Sequence, residues 1–111
     1  MEPDLDVTRR GDWTVVTVHG DLDLARGPAF RQRVLQRVAA GEHRVVVDFT
    51  PCDFVDSIGL GMLVAVLKRV RAVDGSLAVV CPEPRLRKLF ELTGLETILP
   101  PYGDVAEVTE S

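Results

Sequence analysis

The sequence predicts a single α/β domain of α+β-like character spanning residues 1–111. A mixed sheet of about five strands, opened by a β-hairpin, is packed by about four helices. Three observations carry this expectation. Two segments, the second rich in Val, Thr and Trp, flank Gly11-Asp12, which is a hairpin signal. Beyond them, short apolar runs alternate with segments of helical periodicity, which implies parallel pairing through right-handed crossovers. Finally, 111 residues with 46% hydrophobic composition suffice for one core.

Residues 5–9 and 13–19 form the hairpin, and Gly20-Asp21-Leu22-Asp23 follows as an acidic loop. Pro28 suits an early helical position. Phe30, Val34 and Val38 recur every fourth residue with Arg31, Arg33 and Arg37 between them, and Gly41 is the stop. Residues 44–49 are nearly all apolar, as in a strand covered on both faces. Residues 50–55 read as loop, because Pro51 blocks strand continuation. The second helix covers residues 58–73, and Asp74-Gly75 turns the chain. Residues 77–81 form another apolar strand. The third helix follows Pro82 and Pro84, turns Leu86, Leu89 and Phe90 inward, and stops at Gly94. Residues 96–99 form a short last strand, broken by Pro100-Pro101, and residues 104–109 form a terminal helix.

Charged residues make up 27% of the chain and the net charge is −4, which disfavours nucleic-acid binding. No apolar run approaches the roughly 20 residues that span a bilayer, so no membrane partner is expected. The start, Met1-Glu2-Pro3-Asp4, is acidic, unlike a secretory signal. The chain reads as cytoplasmic. Cys52 and Cys81 make no disulfide framework and match no zinc spacing with His19 or His43, so neither metal nor cofactor is expected. Cys81 reads as a buried strand-end thiol, and Cys52, in a loop, as the more exposed one.

The most informative stretch is Asp56-Ser57-Ile58-Gly59-Leu60-Gly61, where a loop becomes the second helix. A serine there can cap the helix, attack as a nucleophile, or accept a phosphoryl group. Nucleophilic catalysis is disfavoured, since Val55 stands where a Gly-x-Ser-x-Gly elbow needs its first glycine. No phosphate-cradling Gly-rich loop with Lys is present. No catalytic residue is therefore assigned. Along the helix, Leu60, Leu63, Val64, Leu67 and Val70 form the core stripe. A second set gathers opposite, comprising Ile58, Met62, Ala65 and Arg69, with Val66 and Val73 at its edge. Either a partner or another helix of the domain covers that face.

The same segment resembles the signature of bacterial anti-sigma factor antagonists of the STAS-domain family. Gly20-Asp21-Leu22-Asp23 resembles the family's Gly-acidic-Leu-Asp loop, residues 45–49 its central strand, and Leu89-Phe90-Glu91-Leu92-Thr93-Gly94-Leu95 its third helix and stop. The resemblance covers nearly the whole chain. It implies a regulatory binding protein rather than an enzyme. Ser57 would be phosphorylated by a partner that is both anti-sigma factor and serine kinase. The unphosphorylated form would bind that partner and release a sigma factor, and a PP2C-type phosphatase would restore it. Family members often carry a second hydroxyl after the serine, where this chain has Ile58.

On this reading Ile58, Met62 and Arg69 contact the partner, Gly59 and Gly61 allow close backbone approach, and Asp23 and Asp56 set the surrounding charge. Turn and cap chemistry accounts for the two aspartates equally well. Two alternatives stand beside it. One is a non-switching STAS scaffold subunit of a stressosome-like or lipid-transport complex. The other is a phospho-Asp receiver with Asp48 as acceptor, disfavoured because Lys68 and Lys88 both lie within helices.

Overall fold

A computed structural model describes residues 5–110; the acidic start and Ser111 lie outside them. Strands β1 (Leu5–Arg10) and β2 (Trp13–Val18) form the antiparallel hairpin, with Gly11 at φ +60° in its turn. β2 then pairs in parallel with β4 (Arg44–Asp48), and β4 with β6 (Ser76–Val80). The main sheet therefore has four strands in the order β1-β2-β4-β6. Two segments expected as loop form a second, two-stranded parallel sheet: β3 (Gly20–Leu22) and β5 (Cys52–Val55). Three or four residues are too few for an alternating pattern to show. These strands exist because their backbones meet in space.

Helix α1 (Gly27–Ala39) buries Phe30, Val34 and Val38, and Gly41 follows at φ +98°. Helix α2 (Ser57–Ala72) packs beside it. Helix α3 (Pro84–Leu92) turns Leu86 and Phe90 into the same core, where Phe90 meets Phe49 edge-on with ring centroids 6.3 Å apart. A fourth helix, α4 (Val105–Thr109), covers the opposite sheet face. β4 is consequently buried on both sides. Val45 and Val47 join the large core, while Val46 packs with Val15, Val80 and Val108.

The expected strand at residues 96–99 is instead a 3-10 turn, Leu95–Thr97, entered through Gly94 at φ +76°. The amides of Ile98 and Leu99 both return to the Leu95 carbonyl, at 3.0 and 2.7 Å, so they are spent locally and cannot join a sheet. Leu95 and Leu99 reach the core while Ile98 stays exposed, a helical rather than an alternating pattern.

The core stripe of α2 is Leu60, Leu63, Val66, Leu67 and Val70, so Val66 replaces the expected Val64, which is half-buried. The second face is largely covered from within. Val66 is fully buried, and Met62 lies over Gly27 of α1, where a Cβ would meet Met62 Cγ at 2.9 Å. Of that face, Ile58, Arg69 and Val73 remain exposed.

Candidate functional site

The loop before α2 is fixed from two directions. β5 lies beside β3 with Val55 opposite Leu22. The Asp56 amide continues this contact by donating to the Leu22 carbonyl at 3.3 Å. Asp56 is extended, at φ −99° and ψ −178°, and its carboxylate accepts the Gly59 amide at 2.8 Å. The cap of the helix is therefore Asp56, not Ser57. Ser57 becomes the first helical residue, is exposed, and makes no side-chain hydrogen bond among the described residues. Its hydroxyl stands where the unpaired amides of the first turn and the helix dipole favour negative charge.

The Leu22 carbonyl also lies against Gly59, so Gly59 is the glycine that close approach requires. Gly61 has open space around its α-carbon and serves no packing need within the domain. Asp23 anchors the other side. Its carboxylate accepts the amides of Ala25 and Arg26, both at 3.1 Å, and its carbonyl accepts Gly27 at 2.7 Å. Both aspartates thus perform turn and cap chemistry, and their charge stands beside the serine's helix start as well. Asp21 and Asp53, on β3 and β5, are close enough to Cys52 for their charges to act on its thiol.

Two residues here were not legible as site residues. Leu24, just after β3, is 66% exposed, Phe54 on β5 52%, and Ile58 at the start of α2 39%, so each of the three segments that meet before α2 carries an exposed apolar residue. The available signal was an apolar residue placed inside each of two polar, turn-forming stretches. Arg69 and Met62 do not join this cluster. Arg69 lies twelve residues beyond Ser57 on the helix, about 18 Å along its axis.

His19 Nε2 sits 2.7 Å from Asp6 across the hairpin. Asp48 is occupied by Thr50, whose amide and hydroxyl both donate to it, and the antiparallel β1 departs from the receiver order. Cys52 is buried rather than exposed, and its thiol donates to the Phe54 carbonyl at 3.5 Å. Burial pushes the Cys52 thiol upward and Cys81 up to about 11. Among the described residues no group of three or more metal-ligating side chains gathers, and no helix is long and apolar enough to cross a membrane.

Residues 4–108 match the STAS domain family. The chain belongs to the STAS-domain family. An anti-sigma-B factor antagonist of Staphylococcus epidermidis is 28% identical over 99 residues, covering 89% of this chain and 92% of that one. The crystal structure of an anti-sigma factor antagonist from Mycobacterium paratuberculosis superposes with a TM-score of 0.87 at 26% identity, covering 96% and 93% of the two chains. The Bacillus cell-fate determinant SpoIIAA in its phosphorylated form shares the fold at a TM-score of 0.75 and 20% identity, covering 96% and 97%. This STAS domain thus falls among the anti-sigma factor antagonists, a group of regulatory binding proteins.

Proposed function

We propose that this STAS domain is a cytoplasmic anti-sigma factor antagonist switched by phosphorylation of Ser57. The observation that carries the reading is the exposed, uncommitted Ser57 hydroxyl. Asp56 takes over the capping, and exposed apolar residues, Leu24, Phe54 and Ile58, stand on the three segments that meet before α2. A fold neighbour characterised in a phosphorylated form supports the same reading.

In the unphosphorylated state these apolar side chains pack against an anti-sigma factor that is also a serine kinase, and a sigma factor is released. The kinase transfers the γ-phosphoryl of ATP to Ser57 Oγ; the hydroxyl proton goes to a base of the kinase and ADP leaves. A PP2C-type phosphatase hydrolyses the ester and restores the hydroxyl. The phosphoryl group adds about −1.5 to −2 charge. The helix start tolerates that charge, so the fold persists. The partner does not tolerate it, because a dianion pressed against apolar side chains beside the Asp56 carboxylate is an uncompensated buried charge. Such a charge costs several kcal/mol, or at least about a hundredfold in affinity.

The test incubates the purified chain with the candidate anti-sigma kinases of its host and ATP, and locates phosphate by mass spectrometry. Phosphate on Ser57 is expected. Ser57→Ala should bind the kinase and stay unmodified, while Ser57→Asp should bind it more weakly. Equal affinity of the two variants would sink the switch.

A further inference from the structure

The 13 residues of α1 and the 16 of α2 contain Arg31, Arg33, Arg37, Lys68, Arg69 and Arg71, and not one carboxylate. In a chain of net charge −4, all 17 acidic residues therefore lie outside this helical layer. Arg37 is engaged with Glu42 at 3.3 Å. The other five cations form no ion pair among the described residues. A hollow of about 170 Å³ lies between the distal ends of the two helices, and it adjoins a shallow one of about 580 Å³ that runs along α1 from Pro28 to Ala39 and meets α2 at Arg69; together they form an open groove. Leu35, Ala39 and Val73, the last 38% exposed, supply its aliphatic part, Gln32 and Gln36 its neutral polar part, and Arg31 and Arg69 its charge.

We propose that this groove is a second docking site, for an acidic amphipathic helix of a partner protein. Carboxylates of that helix would reach Arg31 and Arg69, and an aliphatic side chain between them would cover Leu35, Ala39 and Val73. Charge complementarity selects the occupant, since the groove is a basic island on an acidic molecule. The composition of the surface disfavours other anions. A nucleic acid would find no aromatic side chain here to stack on, and carboxylates beyond the groove would repel its phosphates. A lipid surface would find little to insert, because apart from Val73 the large exposed apolar residues lie outside α1 and the distal end of α2. Its Arg69 end is about 18 Å from Ser57 along α2, and no residue of the groove belongs to the first turn of α2, so its occupancy should not depend on the phosphorylation switch.

The experiment is an amide-shift NMR titration of the full chain with a synthetic Glu/Leu peptide of about two heptads, leucines at i, i+3, i+4 and i+7. Saturable shifts are expected at Leu35, Ala39, Arg69 and Val73. Binding should fall about tenfold in the Arg31→Glu/Arg69→Glu double variant, persist in Arg31→Lys/Arg69→Lys, and be unchanged in Ser57→Asp. Phosphatidylserine vesicles and oligothymidylate serve as the competing anions. The proposal is overturned if no saturable shift appears, or if shifts spread equally to Arg9, Arg10 and Arg44. Equal binding to the Glu double variant, or tighter binding of vesicles or oligothymidylate, overturns it as well.

Discussion

The carbonyl of Leu22 and the α-carbon of Gly59 are in direct contact, so that a side chain on Gly59 would put its Cβ only 2.9 Å from the Leu22 carbonyl carbon. The neighbour is backbone, held in the β3–β5 pairing, and cannot swing aside. Gly59→Ala should therefore destabilise the domain by about 3 kcal/mol, the range of overpacking without a way out. Gly61→Ala, two residues on in open space, should stabilise it by about 0.5–1 kcal/mol through helix propensity. Thermal unfolding of the pair checks both signs; equal shifts would contradict the packing described.

Asp56 holds α2 by one charge-assisted hydrogen bond to the Gly59 amide. Asp56→Ala should cost about 1 kcal/mol, and Asp56→Asn only a few tenths, since asparagine caps as well. Ser57→Ala should leave stability nearly unchanged because Ser57 does not cap. A loss in Ser57→Ala as large as in Asp56→Ala, measured by urea unfolding, would return the capping role to the serine.

Glu42 collects three partners. The fully buried Thr14 donates its hydroxyl at 2.6 Å, and Arg9 and Arg37 approach at 3.1 and 3.3 Å. The Thr14 hydrogen bond first, and then the two guanidiniums, hold the carboxyl below the usual glutamate value of 4.5, against the opposing effect of burial. The folded group thus titrates below the unfolded one. Its contribution is complete above about pH 4.5 and is lost as pH falls through the lowered folded value. Glu42→Gln should cost about 1 kcal/mol at pH 7, and the difference from the parent should shrink on acidification below 4.5. Paired unfolding curves between neutral and acidic pH measure it.

Both thiols are buried and both are pushed upward, chiefly by desolvation. Since the thiolate is the reactive form, Cys81 at about 11 instead of 9.0 should react at least about a hundredfold more slowly with a thiol reagent at pH 8. Native protein should stay nearly unlabelled, and denaturant should release both residues. Rapid native labelling of Cys52 would overturn its burial.

Legibility in the sequence followed the length of the physical signal. The hairpin, α1 and the doubly covered β4 each extend over enough residues for periodicity to speak, and each lies where the pattern puts it. β3 and β5 were illegible because their cause is mutual contact rather than local pattern. Ser57 was found through the motif around it, but its capping role was not separable from that of Asp56. Both residue types cap well, and a helix start is uncertain by one residue from sequence alone. The hydrogen bond from the Gly59 amide to the Asp56 carboxylate decides between them. Met62 read as a partner contact because periodicity reports apolarity, not which neighbour supplies the cover; at Gly27, α1 supplies part of it.

The small sheet has a consequence for how the molecule opens. Its strands, Gly20–Leu22 and Cys52–Val55, pair only with each other, whereas β2 and β4 are flanked on both sides. Local opening starts where few backbone bonds must break together, so amide exchange should be fastest among the strands at β3 and β5. The Ser57 edge then belongs to a weaker cooperative unit than the four-stranded sheet. Lesions at Val46 or Val47 should lower abundance while the surviving molecules recognise normally. Lesions at Leu22 or Val55 should loosen recognition before they unfold the chain.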